Sequence, residues 1–296
     1  MEIAPGIVLG GDEPTLPVIL GPCAVEGHDA VLEAADAVAS IVEALSGKTP
    51  TSDGSPLPAI FKASFDKANR SSVSSFRSIG LEPALEALAE VKETTGLPIL
   101  TDVHEPGHCA RVAEVADVLQ IPAFLCRQTD LVQAAAETGR AINLKKGQFL
   151  APDDVPKAIA KAHAVGNHRV FVTERGFSFG YHDLVVDFRA VPELQSFGVP
   201  VVFDATHALQ KPGGGTETGG ARRFAETLAR AAVAAGCDGV FLEVHPDPPA
   251  AFSDSTTQLP PDRALRLLDS LLAVRAAVAP HLRADAEAIR SAGAPA

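Results

Sequence analysis

The sequence predicts an α/β fold, a (β/α)8 TIM barrel, as a single domain over residues 1–296 with a short N-terminal extension and a C-terminal helix. Eight short apolar runs alternate with Ala-rich stretches of helical spacing. A (β/α)8 barrel likewise has eight strand-helix units in about 250 residues. A doubly wound sheet is the alternative. It usually has fewer strands and a GxGxxG turn after the first, where this chain reads GPCAVE at 21–26.

The predicted strands are short and uninterrupted rather than alternating, a pattern typical of parallel strands buried on both faces. They are 17–20, 59–61, 98–100, 118–121, 141–144, 170–172, 199–203 and 240–242. Between and after them, apolar residues recur at helical spacing in 30–45, 83–94, 130–138, 152–164, 219–235 and 262–278. Gly96 and Gly236 follow two of these stretches as C-terminal stop signals. For residues 280–296 we predict a separate short helix that ends in a frayed tail.

Composition excludes several classes of function. The 25 Lys+Arg and 37 Asp+Glu give a net charge of −12, which argues against nucleic acid or an anionic membrane as the main partner. No apolar run approaches the roughly 18 residues of a membrane span, and the N-terminus lacks a signal-peptide pattern. The expected location is therefore cytoplasmic. The four cysteines are sparse, so free thiols are expected, and any special one is a candidate ligand or nucleophile.

Basic residues collect where the predicted strands end, the face that carries the active site in such barrels. Seven of the 25 basic residues lie there, which are Lys62, Lys67, Arg70, Arg127, Lys145, Lys146 and Arg175. Buried cations are costly unless they meet anions, so the cluster predicts phosphate or carboxylate groups on the substrate. The alternative is a rim of salt bridges to Asp102, Glu105, Glu174 and Asp204, which explains one or two pairs but not an excess spread over several strands.

A second group of side chains has the chemistry of a metal site. Cys23, His207, Glu243 and Asp254 follow strands one, seven and eight, which are neighbours in a closed barrel. This donor set suits a divalent first-row metal such as Fe, Zn, Mn or Co. Residue spacing alone equally allows a buried cysteine, a hydrogen-bonded histidine and two solvated acids. The glycine-rich segment 210–220 follows His207 closely, and it reads either as a mobile lid or as an ordinary connection.

Nine segments, in order and over roughly residues 18–271, resemble one family, the 3-deoxy-D-manno-octulosonate 8-phosphate synthases. They are GPCAVE (21–26), KASFDKANRSS (62–72), TDVHEP (101–106), QIPAFLCRQTD (120–130), NLKKGQF (143–149), DATHALQ (204–210), EVHPDP (243–248), SD (253–254) and QLP (258–260). The resemblance implies a (β/α)8 barrel, usually a homotetramer. It also implies condensation of phosphoenolpyruvate with arabinose 5-phosphate and water, which yields the octulosonate phosphate and inorganic phosphate.

The resemblance also implies roles for individual residues. Lys145 and Arg175 are expected to hold the phosphoenolpyruvate phosphate near the Ala123-Phe124 backbone and Arg127, which can also serve across a subunit interface. Lys67 is expected to hold the phosphoenolpyruvate carboxylate or to lie between the two substrates, with Lys62 beside it. Asn69, Arg70 and Ser71 are expected to position arabinose 5-phosphate, and Asp102, Gln120 and Gln210 complete the substrate contacts.

Cys23 bears on the class within that family, because metal-independent members have Asn at this position. The resemblance therefore implies the metal-dependent class, with Cys23, His207, Glu243 and Asp254 as ligands, and it implies catalytic roles for Lys67, His207, Asp254 and Cys23. Two alternatives remain at the level of sequence. One is the sister synthase of 3-deoxy-D-arabino-heptulosonate 7-phosphate, which uses erythrose 4-phosphate and has a Lys-Pro-Arg-Thr segment where this chain reads KANRSS at 67–72. The other is a non-catalytic phosphosugar-binding barrel.

Overall fold

The computed structural model describes residues 1–11, 15–48, 56–69, 75–211 and 219–293. Within these residues a closed barrel is formed by eight parallel strands, β1 (Val18–Gly21), β2 (Ala59–Lys62), β3 (Ile99–Asp102), β4 (Val118–Ile121), β5 (Ala141–Lys145), β6 (Val170–Glu174), β7 (Val201–Asp204) and β8 (Gly239–Glu243). Each strand pairs with the next in sequence, and β8 closes on β1. The predicted (β/α)8 fold is confirmed, whereas the extent of a single domain over 1–296 stays a prediction.

The described residues contain eight α-helices, which follow the strands in turn. They are α1 (His28–Ala44), α2 (Leu81–Thr95), α3 (Pro106–Ala113), α4 (Thr129–Glu137), α5 (Val155–His163), α6 (Ala190–Ser196), α7 (Ala225–Ala234) and α8 (Pro261–Gly293). Their buried faces and the outward faces of the strands form one apolar core. None of these helices combines the length and apolar composition that a membrane crossing requires.

Two of the eight helices have no counterpart among the predicted ones. The eight residues of α3 include Pro106 and Gly107, and the seven residues of α6 include Pro192, so neither shows a helical run of apolar residues. Proline is tolerated there because the backbone N–H groups in the first turn of a helix have no carbonyl partner within the helix, so the N–H that proline lacks costs no helical hydrogen bond. The stretch predicted at 219–235 is also corrected, since α7 begins only at Ala225, after a strand pair and a 3-10 turn.

The predicted break before residue 280 is wrong, because α8 runs without interruption through Pro280. Proline removes the hydrogen bond to the carbonyl four residues earlier, here Ala276. Both Ala276 and Pro280 are exposed, so water can satisfy that carbonyl and the helix continues.

The N-terminal end of the barrel is closed by a small hairpin, Glu2–Ala4 paired with Ile7–Val8. Its apolar side chains pack against the inward-facing strand residues nearest to this end of the barrel, including Ile19, Phe171 and Phe241. This plug leaves the opposite end, where the strands finish, as the end available for a site.

Gly21, at the end of β1, allows the backbone of β1 to lie very close to the backbone of β2 at Lys62. Its φ is 144°, and a Cβ atom there would lie 2.2 Å from the carbonyl oxygen of Lys62. We expect Gly21→Ala to lower the free energy of unfolding by about 3 kcal/mol, because the clash is with backbone and the strands must separate. Urea denaturation measures this.

The matched control is Gly6→Ala, since Gly6 also has a positive φ but nothing lies within 4 Å of a Cβ built on it. That variant is expected to lose only about 1 kcal/mol, the cost of the backbone conformation itself. Equal losses in the two variants would contradict a role for close approach at Gly21.

Candidate active site

The barrel interior changes from apolar to polar between successive inward-facing residues. Side chains two apart on a strand point the same way. The first member of each pair belongs to the apolar plug region, and the second is buried and polar or charged. The pairs are Ile60 and Lys62, Leu100 and Asp102, Val118 and Gln120, Val202 and Asp204, and Phe241 and Glu243. The C-terminal end of the barrel is thus a buried polar chamber.

Three of the four predicted metal ligands meet in this chamber. Ligand atoms of Cys23, Glu243 and Asp254 all lie within 4.8 Å of one another. Cys23 Sγ is 3.0 Å from Asp254 Oδ2, although 231 residues separate them in sequence. Glu243 Oε2 is buried without a hydrogen-bond partner among the described residues. A buried carboxylate oxygen of this kind is costly unless a cation meets it, so these residues fit a divalent metal ion.

His207, the fourth predicted ligand, adjoins the group through its ring. Its Nδ1 lies 2.7 Å from Asp204 Oδ2, and its Nε2 lies 3.5 Å from Glu243 Oε1 and 4.0 Å from Asp254 Oδ2. A carboxylate that accepts a hydrogen bond from one ring nitrogen leaves the lone pair of the other free for a metal. Asp204 therefore orients His207 toward the carboxylates of the group.

Lys62 is committed to the protein rather than free for a ligand. Its Nζ donates to Glu243 Oε1 at 2.7 Å, to the carbonyl of Cys23 at 2.9 Å and to the carbonyl of Pro22 at 3.3 Å. A lysine ammonium has three donors, and these contacts use all of them. In the structure Lys62 fixes Glu243 and the Cys23 segment.

Lys145 and Arg175 lie on the adjacent side of the chamber. Lys145 Nζ donates to Asp204 Oδ2 at 2.5 Å and lies 3.9 Å from the ring centroid of Phe241. Arg175 Nη2 donates to Gln210 Oε1 at 2.7 Å, and its Nε is buried without a partner in the described chain. Burial lowers the pKa of both cations. This arrangement offers positive charge and unused N–H groups to an anion.

The carboxylates of the chamber are held in their charged form. Burial alone raises the pKa of Asp204, but His207 and Lys145 hold it well below its usual range. Against the same effect of burial, Lys62 lowers the pKa of Glu243, and His207 with Lys67 lowers that of Asp254. Burial first, and then the Glu243 and Asp254 charges, raise the pKa of the Cys23 thiol. Glu243 and Asp254 are therefore ionised and can act as oxygen ligands for a cation, whereas the Cys23 thiol is held in its protonated form in the absence of one.

Lys67 and Asp102 lie on the side of β2 and β3. Lys67 Nζ donates to Ser64 Oγ at 2.9 Å, and Asp102 Oδ2 lies 3.0 Å from His104 Nε2. Asp102 Oδ1 is buried and has no hydrogen-bond partner among the described residues. The Gln120 side chain accepts a hydrogen bond from Asn143 at 3.1 Å. These residues line the chamber with both donors and acceptors.

The remaining predicted substrate contacts lie nearer the surface. Ala123 is buried and Phe124 is half exposed in the 3-10 turn after β4, and Arg127 and Asn69 are exposed. Arg70 and Ser71 lie outside the described residues, as does the part of the proposed lid between 212 and 218.

Salt bridges explain only part of the basic cluster. Lys62 pairs with Glu243, Lys145 with Asp204, and Lys146 with Glu174. Lys146 also lies 3.6 Å from the ring centroid of Phe177 and is buried, which fits a structural role. In the described part of the chain, Lys67, Arg127 and Arg175 make no salt bridge, so the alternative of a pure salt-bridge rim fails for them.

Several supporting residues escape prediction from sequence. Ser253 Oγ lies 3.0 Å from Cys23 Sγ, and Gln258 Oε1 accepts a hydrogen bond from the Cys23 amide at 3.1 Å. Thr206 Oγ1 accepts from the Glu243 amide at 2.8 Å. All three lie in segments that carry the family resemblance, but the resemblance assigns them no role, and Asp204 is predicted only as a salt-bridge partner.

The comparisons with known proteins agree with the site. The sequence model of the DAHP synthetase I family matches residues 1–277. A 2-dehydro-3-deoxyphosphooctonate aldolase of Nitratidesulfovibrio vulgaris (strain DP4) is 55% identical over 258 residues, 87% of this chain and 91% of the relative. Proteins of the same name from Geobacter metallireducens (52% over 279 residues) and Trichlorobacter lovleyi (49% over 278 residues) each cover 94% of this chain and 98% of the relative. The predicted resemblance is thereby confirmed, and this chain belongs to the DAHP synthetase I family.

Proposed function

We propose that this chain is an enzyme that condenses phosphoenolpyruvate with D-arabinose 5-phosphate and water, giving 3-deoxy-D-manno-octulosonate 8-phosphate and inorganic phosphate. The name shared by its close relatives refers to this phosphorylated eight-carbon sugar acid, which favours the eight-carbon product over the seven-carbon one. The observation that carries the proposal is the chamber itself. Lys67 and Arg175, which have no carboxylate partner among the described residues, share it with the cluster of Cys23, Glu243 and Asp254.

Substrate binding is the first task of these residues. Both substrates are multiply charged anions that repel one another in water, and fixed cations offset this repulsion and orient the reacting carbons. In this proposal Lys145 and Arg175 hold the phosphoenolpyruvate phosphate, and Lys67 holds its carboxylate. Asn69, Arg70 and Ser71 take the arabinose 5-phosphate, with Arg127 acting nearby or across a subunit contact.

The chemistry then follows from the substrates. C3 of the enol phosphate forms a bond to the aldehyde carbon, and the aldehyde oxygen takes the carbonyl electron pair and a proton to become a hydroxyl. Water adds at C2, and the resulting hemiketal phosphate expels inorganic phosphate by cleavage of its C–O bond as the new C2 hydroxyl loses its proton and becomes the ketone. The attacking water must lose a proton, and ionised Asp254 and Glu243 are acceptors within the chamber. No covalent intermediate on the enzyme is needed, so Cys23 is not assigned as a nucleophile.

The proposal includes a divalent metal, Fe, Zn, Mn or Co, with Cys23, His207, Glu243 and Asp254 as its ligands. The orphaned Glu243 oxygen and the mixed sulfur, nitrogen and oxygen donors support it. When bound, such an ion polarises an aldehyde oxygen or lowers the pKa of a water molecule. A cytoplasmic location and a homotetramer belong to the same proposal.

Phosphate release from phosphoenolpyruvate tests the proposal, with arabinose 5-phosphate or erythrose 4-phosphate as the aldehyde. We expect release with the five-carbon aldehyde, loss of activity after chelation, and recovery with added divalent metal. Release only with the four-carbon aldehyde would move the chain to the heptulosonate synthases. Release that survives thorough chelation would remove the metal from the proposal, and no release with either aldehyde would favour a phosphosugar-binding barrel.

A further inference from the structure

The Gln210 side chain lies between two charged residues of the chamber. Its Oε1 accepts a hydrogen bond from Arg175 Nη2 at 2.7 Å, and its Nε2 donates to Asp254 Oδ1 at 2.8 Å. A guanidinium only donates and an ionised carboxylate only accepts. The orientation of the amide is therefore fixed by its two partners, and a reversed amide would lose both bonds.

The two partners belong to different parts of the site. Asp254 uses its other oxygen, Oδ2, toward Cys23 Sγ, so it is part of the cation cluster. Arg175 is part of the anion-binding side, and the only other hydrogen bond of its side chain in the described chain is a 3.5 Å contact to the His207 carbonyl. Gln210 is thus the shortest connection from the guanidinium to the acidic cluster.

The backbone on either side of this connection is anchored independently of the Gln210 side chain. Gln210 pairs with Gly220 and Lys211 with Gly219, and a Cβ on Gly220 would meet Thr257 Cγ2 at 2.1 Å. The Thr257 amide donates to the Asp254 carbonyl at 2.9 Å. Shortening or blunting the Gln210 side chain should therefore change its two hydrogen bonds without moving the turn that contains Asp254.

We propose that Gln210 is a positioning residue that couples anion binding at Arg175 to cation binding at Asp254. The inference rests on the proposed function, because it assumes that the two sites take phosphoenolpyruvate and a divalent ion. A cation that fixes the Asp254 carboxylate also fixes the Gln210 amide, and through it the guanidinium. An incoming phosphate then meets an already oriented donor, and by linkage the anion strengthens cation binding by the same factor.

The test measures the affinity of the chain for phosphoenolpyruvate by calorimetry, with and without saturating Co²⁺, in the unmodified protein and in Gln210→Met. Methionine keeps the length of the side chain but makes neither hydrogen bond. We expect Co²⁺ to tighten phosphoenolpyruvate binding about tenfold in the unmodified protein and about threefold or less in the variant, where only direct attraction between cation and anion remains. The same factor in both proteins would overturn the inference.

Two further variants separate coupling from damage to the fold. Lys211→Ala changes the exposed neighbour on the same strand and should keep the full coupling factor. Gln210→Asn keeps the amide on a shorter chain that cannot span both partners, so it should lose the coupling as Gln210→Met does. Coupling retained in Gln210→Asn would contradict the bridge geometry. An unmodified protein that binds no phosphoenolpyruvate would instead overturn the proposed function, and the inference with it.

Discussion

Cys23→Ala is expected to lower the affinity of the protein for a divalent metal by about 100-fold or more, because even supporting residues of metal sites contribute factors of 10 to 100. Cys23 is fully buried, and its Sγ is the one soft donor beside Glu243 and Asp254 in the described cluster. Calorimetric titration with Co²⁺ measures the affinity. The visible spectrum of bound Co²⁺ should also lose its sulfur-to-metal charge-transfer band.

Condensation activity at limiting metal should fall with the affinity, and excess metal should restore part of it. Cys109→Ala is the matched control, because Cys109 is also buried and free but lies in α3, on the outside of the barrel. That variant should bind Co²⁺ as the unmodified protein does. Unchanged Co²⁺ binding and spectrum in Cys23→Ala would remove Cys23 from the ligand set and leave Glu243, Asp254 and His207 to hold any ion.

Much of the fold was readable because each strand combines continuous apolar character with a polar C-terminal end. The sequence Ala-Ile-Phe-Lys at 59–62 shows both features, and the structure makes it β2 with Ile60 in the plug region and Lys62 in the chamber. Helix α6 shows the converse. Its seven residues carry too little apolar periodicity to be recognised, and its helical state comes from packing against the barrel.

The residues that form the site could be predicted from the sequence, but the role of each residue could not. Barrel closure brings Cys23 to Asp254 across 231 residues, and the order of strand ends is enough to anticipate that. The sequence groups Lys62 with the substrate cations, whereas its three protein acceptors give it a structural task. Likewise the orientation of the Gln210 amide depends on hydrogen bonds to two side chains, Arg175 and Asp254, which lie 35 and 44 residues away in sequence.

The basic residues of the chamber should divide into two kinds when each is replaced by methionine. Lys62 neutralises Glu243 in a fully buried pair, with side-chain exposures of 2% and 0%. Removing one partner of such a pair leaves an uncompensated charge, so Lys62→Met should lower the free energy of unfolding by about 3 kcal/mol. This result would mark Lys62 as part of the framework of the site.

Arg175→Met should behave in the opposite way. Burial lowers the pKa of Arg175, which means that the folded protein disfavours its charge, and no carboxylate pairs with it in the described chain. Its loss should change the free energy of unfolding by less than about 1 kcal/mol, whereas kcat/KM for phosphoenolpyruvate should fall by about 100-fold or more, the usual cost of one preorganised donor.

Urea denaturation and steady-state kinetics on both variants measure the contrast. If Arg175→Met instead unfolds as readily as Lys62→Met and keeps its kcat/KM, then Arg175 is structural and the anion-binding assignment is wrong. A stable but inactive Arg175→Met would mean that this cation is retained for a ligand, at no benefit to the fold.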